Sequence, residues 1–230
     1  MTPETTSLWR GRALRAASLD DWTDRREHYD TAVVGAGITG TVTALLLARR
    51  GLRVALVEAR DIGAVTPGNT PGKVSVLQGT RLSRIGRRHS EVIRQGYVDG
   101  TLAAQRWIVD FCARHGVDCE TADAYTYAQD PANVGSVDAE YHHCRASGLP
   151  AERVTDLPLP YPVAAAGRIP GQVQLDPMPL LHTVVGEFRA AGGEVFTGRR
   201  VRSVSSGDPS CLLHTDQGDL RAHRVVLATG

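Results

Sequence analysis

Three glycines and one acid stand at a spacing that can do chemistry. Gly35, Gly37 and Gly40 form a G-x-G-x-x-G pattern within Ala-Val-Val-Gly-Ala-Gly-Ile-Thr-Gly, and Glu58 follows 18 residues after Gly40. The first glycine permits a tight turn out of a strand. The second lets backbone approach a phosphate with no Cβ in the way, and the third lets a helix pack close to the sheet. Amide N–H groups at the start of a helix beginning at Ile38 would face that phosphate, favoured by the helix dipole. Glu58 at the end of the next strand would accept hydrogen bonds from ribose hydroxyls, and it favours a ribose without a 2′-phosphate. The pattern therefore implies a nucleotide with a pyrophosphate and leaves the reaction open, since flavin and nicotinamide dinucleotides share it.

The elements that must position these residues are legible around them. Residues 31–34 are a short apolar run suited to a buried parallel strand, 38–50 read as a helix closed by Gly51, and 53–58 read as a second strand. This order implies a right-handed crossover in a parallel sheet. Residues 61–80 carry dense Gly, Pro, Thr and Asn and read as loop. Within that loop Thr66, Asn69, Thr70, Ser75 and Lys73, the chain's only lysine, offer polar groups that can line a diphosphate or a ring edge. Residues 84–115 read as helical, with a bend at Gly96 and Gly100. A strand is expected at 125–128, a helix at 136–146, extended chain at 157–161 and a strand at 167–175. A helix should begin at Pro177 and end before Gly192. Short strands are expected at 195–197, 201–204, 211–215 and 220–221, with a turn at 205–208 and a last strand at 225–228.

The chain's 230 residues are enough to bury a core, and 42% hydrophobic with 22% charged residues is ordinary for a globular protein. A formal net charge of +1 gives no reason to expect nucleic acid or an anionic membrane as partner. No stretch approaches the roughly 20 apolar residues of a membrane span. The N-terminal residues lack a continuous apolar core of the secretory kind. Cys112, Cys119, Cys144 and Cys211 make no C-x-x-C, so no zinc or redox dithiol motif is present. Reduced cysteines and a cytoplasmic location are expected, and no metal site. His142, His143 and Cys144 are adjacent but read as helix-end polarity. The basic run Arg84, Arg87, Arg88 and His89 reads as a solvated helix face; one of its arginines can hold a carboxylate, and no catalytic residue is assigned.

With these motifs in view, residues 30–80 resemble the FAD-binding start of the D-amino-acid-oxidase-like FAD-dependent oxidoreductases. The stretch Thr66-Pro67-Gly68-Asn69-Thr70-Pro71-Gly72-Lys73-Val74 is most similar to a bacterial branch that often carries a C-terminal Rieske iron–sulfur domain and typically shows Thr-Thr-Ala-Lys-Val-Thr. Thr70, Lys73 and Val74 are kept, and Pro71 and Gly72 depart from it. The leader, with Leu8-Trp9, also resembles that branch. Gly171-Gln172-Val173-Gln174-Leu175-Asp176-Pro177 resembles the family segment returning from the substrate domain, and 225–230 its Ala-Thr-Gly element beside the cofactor.

The resemblance implies an α/β fold: a Rossmann-like FAD-binding domain with part of a second, α+β substrate domain. It implies a leader at 1–28, an FAD-binding βαβ and polar loop at 29–80, a helical segment and partial substrate domain at 81–170, and a return to the FAD-binding domain at 171–230. The implied cofactor residues are Gly35, Gly37, Ile38, Thr39, Gly40, Glu58, Ala59, Arg60, Thr66, Asn69, Thr70, Lys73, Val74, Val201 (against the adenine), Ala228, Thr229 and Gly230. The implied reaction is hydride transfer to FAD from the carbon beside an amine of a small-molecule substrate, with electrons passed to oxygen, another acceptor or an attached redox domain. Family members continue past the Ala-Thr-Gly element with a late glycine-rich segment over the flavin, so a missing C-terminal half or separate partner is expected. The two Cys-x-His pairs of a Rieske cluster are absent from these residues. Two other readings stay open from the residues: a catalytically inactive flavin- or ADP-binding fragment, and an NAD-linked dehydrogenase.

Overall fold

A computed structural model describes residues 20–157 and 159–229. Most of the expected leader, including the Leu8-Trp9 pair, and Gly230 lie outside the described residues. Two compact units divide the described chain at Pro71/Gly72 and at Leu175/Asp176, where the sequence-based divisions stood after 80 and after 170.

The first unit is a six-stranded sheet with α-helices packed on it. β1 (Tyr29–Val34), α1 (Ile38–Ala48) and β2 (Val54–Val57) form the βαβ core; α5 (Pro177–Ala190) follows the second crossing into the unit. β7 (Glu194–Phe196) pairs parallel with β2, while β8 (Val201–Ser206), β9 (Cys211–Thr215) and β10 (Gly218–Leu227) form an antiparallel meander. The strand order is β7-β2-β1-β10-β9-β8. β1 and β2 are buried almost throughout, which is why they read as apolar runs rather than alternating ones. Helices α1 and α5 pack together, with Ala44 and Leu45 of one and Leu181 and Val184 of the other buried. On the meander side, Leu213, Leu220 and Val201 join Ala32, Val34, Ala55, Val57 and Phe196 in one apolar cluster. Asp176 caps α5 by accepting from the Met178 amide at 2.9 Å, with Pro177 in the first turn.

The second unit holds β3 (Lys73–Val74), α2 (Arg81–Arg88), α3 (Glu91–His115), β4 (Glu120–Ala128), α4 (Val134–Ala146), β5 (Glu152–Val154) and β6 (Ala165–Gln174). β6 is central: β4 pairs with one edge, β3 and β5 with the other, all antiparallel. Its core gathers Leu77, Leu82, Val98, Ala124, Cys144 and Ile169. The buried Glu140 on α4 accepts from the amides of Leu82 and Ser83 at 2.9 and 2.7 Å, and so caps α2 from outside its own chain segment.

Several expectations are corrected. The loop expected at 61–80 is interrupted by a two-residue strand, because Lys73 and Val74 find ladder partners in Gln174 and Val173. α3 runs unbroken through Gly96 and Gly100, and the break in the expected helix falls at His89, whose extended backbone precedes the Ser90 cap. The strands expected at 220–221 and 225–228 are one strand, which pairs with β9 at its start and β1 at its end. The strand expected at 125–128 begins five residues earlier, and β5 was not expected at all.

Candidate functional site

The chain leaves β1 through Gly35, whose φ of 106° is open to glycine and strained for other residues. A side chain there would also meet the Ala228 carbonyl oxygen at 2.6 Å. Gly40 sits in the first turn of α1, where an added Cβ would lie 1.8 Å from the Gly35 carbonyl oxygen. These two glycines serve the protein itself: they let the helix start directly over the strand end.

Gly37 differs. Its φ is −80°, and a Cβ there would approach only Pro67 Cγ, at 3.9 Å. The space in front of it belongs to a cleft of about 730 Å³ at the ends of β1, β2 and β10. No side chain caps the α1 N-terminus at Gly37, so its amide end is offered to the cleft. Gly35, Gly37, Ile38 and Thr39 line it, as do Glu58, Ala59 and Arg60 from the end of β2.

The Glu58 carboxylate is fixed by backbone. One oxygen accepts from the Ala36 amide and the other from the Arg60 amide, both at 2.8 Å. Each oxygen keeps a second acceptor position, so the group can still take hydroxyl donors. Across the cleft, the segment after β7 is tied down by bonds from Arg199 N to Glu58 O at 2.8 Å and Gly198 N to Arg60 O at 3.1 Å. That bond pair brings Arg199, Arg200 and Val201 to the wall. Arg60 and Arg200 stand on the lining with one carboxylate, while the Arg199 guanidinium lies over the Trp22 ring, 5.7 Å from its centroid.

The loop after β2 folds back over the glycine turn. Gly63 N donates to Ala36 O and Gly68 N to Gly63 O, and Gly63 itself lies against Leu181 and Met178 of α5. Thr66 and Thr70 are thereby placed on the cleft wall. Asn69 is turned into the loop, where its side-chain amide donates to the Val65 carbonyl. Ala228 and Thr229 line the cleft from the end of β10. Gly40 lies beneath the lining in α1, and Lys73 and Val74 belong to β3 of the second unit, Lys73 exposed.

Sequence reasoning missed Arg199 and Arg200. Their signal was adjacency to Val201, the residue singled out on that strand. Among the described residues no group of three or more His, Cys, Asp or Glu is arranged to hold a metal. His143 faces inward to α3, its Nδ1 3.3 Å from Arg94 Nη1, and burial followed by the Arg94 charge lowers its pKa. No helix among the described residues is long and apolar enough to cross a membrane.

The family described as FAD dependent oxidoreductase (DAO) matches residues 30–230. A putative Rieske 2Fe-2S iron–sulfur protein, YhfW, of Bacillus subtilis is 26% identical over 185 residues, covering 78% of this chain and 36% of the relative. Among solved structures, glycine oxidase from Geobacillus kaustophilus superposes with a TM-score of 0.69 at 23% identity, over 89% of this chain and 56% of that one. L-Amino acid deaminase from Proteus myxofaciens superposes with a TM-score of 0.73 at 18% identity, over 95% of this chain and 49% of that one. The chain thus spans from about a third to just over half the length of these proteins. The two superpositions establish the α/β Rossmann-like fold.

Proposed function

This chain belongs to the FAD dependent oxidoreductase family, and on that premise we propose that it is the FAD-holding part of an enzyme that oxidises an amine or amino-acid-like substrate. The observation that carries the reading is the open face of Gly37. The protein's own packing does not require a glycine there, so the missing side chain makes room for a ligand, here the pyrophosphate of FAD. The uncapped α1 amides at Ile38 and Thr39 receive its charge, with Thr66 and Thr70 beside them. Glu58, held by two backbone amides, accepts from the ribose hydroxyls. Val201 would pack on the adenine, and Ala228 and Thr229 would back the flavin-side end. For Asn69, Lys73 and Val74 the support is the family resemblance of the 66–74 stretch alone.

When bound, FAD supplies the hydride acceptor. The chain's residues bind and orient it: the glycine turn sets the depth of the phosphates, and Glu58 sets the ribose. Gly72–Leu175 is read as part of the substrate-binding portion. The amine assignment is supported by the likeness to proteins named glycine oxidase and L-amino acid deaminase. The likeness to a protein named for a Rieske cluster supports transfer of electrons to an attached or separate redox domain. Four free cysteines fit a reducing, cytoplasmic setting. The test is a titration of the purified protein with FAD, then anaerobic addition of small amino acids and secondary amines. The reading expects saturable binding with a flavin absorbance that one of these substrates bleaches. Saturable binding of NAD and none of FAD would overturn it.

A further inference from the structure

The meander of the first unit presents a hydrogen-bonded relay on the face turned away from its core. Ser205 lies on β8, His214 on β9 and Asp219 on β10. Ser205 Oγ is 2.7 Å from His214 Nε2, and His214 Nδ1 is 3.1 Å from Asp219 Oδ1. None of the three lines the nucleotide cleft.

The register explains the arrangement. Asp219 is directly opposite His214, and His214 directly opposite Ser203; Ser205 is two residues further along β8, on the same face. The intervening Leu213 and Leu220 point the other way and are fully buried, which anchors the relay's backbone. Arg25 adds a clamp: its Nε and Nη2 donate to the Asp219 carbonyl oxygen at 3.2 and 3.1 Å. An ionised aspartate only accepts, so it selects the tautomer with hydrogen on Nδ1. Nε2 is then left as the acceptor for the Ser205 hydroxyl. This is the division of roles of an activated serine: nucleophile, general base and orienting acid.

We propose that Ser205, His214 and Asp219 form a second reactive site, at which Ser205 is acylated by small activated esters and the acyl group is passed to water. Ser205 Oγ forms a bond to the ester carbonyl carbon as its proton moves to His214 Nε2. The carbonyl–alkoxy bond breaks, and the departing oxygen takes that proton. A water then gives a proton to Nε2, its oxygen attacks the acyl carbon, and Ser205 Oγ leaves and recovers the proton. The products are a carboxylic acid and an alcohol, with no oxidant or cofactor consumed. β8 is the outer strand of the sheet, so alternate amide N–H groups face away from β9 and can donate to the developing oxyanion. The site is open, with His214 and Asp219 side chains 40% and 46% exposed. It therefore suits small acyl groups and selects weakly among them. Asp219 acts through His214 and is a positioning residue.

The experiment treats the purified protein with an aryl acetate and, separately, with a fluorophosphonate, and maps adducts by peptide mass. We expect the adduct at Ser205, formed at least about 100-fold faster than on Ser203 or Ser206, the scale of general-base assistance. Phenolate release should show a burst followed by slow turnover. Ser205→Ala should abolish both, His214→Gln should slow acylation about 100-fold or more, and Asp219→Asn should slow it with Asp219→Glu restoring part of the rate. Adducts spread equally over Ser203, Ser205 and Ser206 in the unaltered protein would overturn the proposal, whether or not the variants fold. So would a His214→Gln variant, folded by its circular dichroism, that labels as fast as the parent.

Discussion

Replacing Gly37 by alanine separates what the glycine turn does for the fold from what it does for a ligand. The new Cβ meets only Pro67 Cγ at 3.9 Å, an ordinary contact, and the φ of −80° suits alanine. Alanine caps a helix less well than glycine, by several tenths of a kcal/mol, but stiffens the unfolded chain by a similar amount. Stability without cofactor should therefore stay within about 1 kcal/mol of the parent. The same methyl group stands where the pyrophosphate would approach the α1 amides. Losing one charge-assisted hydrogen bond is worth roughly 1.5–3 kcal/mol, which is about a 10- to 150-fold rise in Kd for FAD. Gly40→Ala should behave in the opposite way. Its Cβ would lie 1.8 Å from the Gly35 carbonyl oxygen, so helix and strand must separate. We expect a loss of about 3 kcal/mol, or roughly 6–12 °C in Tm for a chain of this size. Thermal unfolding without FAD and a fluorescence titration with FAD read the two effects independently. If Gly37→Ala binds FAD as tightly as the parent, or unfolds as early as Gly40→Ala, the reasoning is refuted.

Other expectations follow from individual contacts. Glu140→Ala leaves the buried Leu82 and Ser83 amides without their acceptor and should cost about 2–4 kcal/mol, measured by denaturant unfolding; a loss under 0.5 kcal/mol would show that water replaces the carboxylate. Glu58→Ala should weaken FAD binding about 10-fold or more by the same titration, since both ribose acceptor positions go; unchanged affinity would remove Glu58 from the site. Hydrogen bonding to Arg53 from both its guanidinium and its backbone holds the Asp30 pKa down to about 2. A carboxylate with a depressed pKa stabilises the fold above its unfolded value near ~3.9 and loses that contribution as pH falls through the folded value. Asp30→Asn should thus be less stable than the parent above pH ~4, within roughly 1 kcal/mol for a surface pair, and the gap should close towards pH ~2. Burial pushes the Cys144 and Cys112 thiols up to about 12 and about 11. A thiol reagent at neutral pH should modify the half-buried Cys211 and Cys119 first, and Cys112 and Cys144 only on unfolding.

The nucleotide half of the fold was legible because its constraints are local. Gly35 is dictated by its own positive φ and Gly40 by the Gly35 carbonyl five residues away, and β1 and β2 are buried on both faces, so unbroken apolar runs mark them. The start of α3 is also written locally, in Ser90-Glu91 at a helix cap, whereas Gly96 and Gly100 inside the long helix have open space and force nothing. β3 and β5 could not be read in isolation. They are two and three residues long and exist because β6 offers them an edge. Arg199 and Arg200 reach the cleft wall because the Gly198 and Arg199 amides bond to the Arg60 and Glu58 carbonyls, more than a hundred residues away. The Ser205–His214–Asp219 relay depends on strand register, which a one-residue slip would destroy.

The central claim is that the cleft at Gly37 is where this chain holds FAD, and the structure of the FAD complex tests it most directly. The account predicts the pyrophosphate against the amides at the start of α1 and the adenosine ribose on Glu58, with the adenine beside Val201. FAD seated elsewhere on the chain, or a cleft that stays empty at saturating FAD, would contradict it.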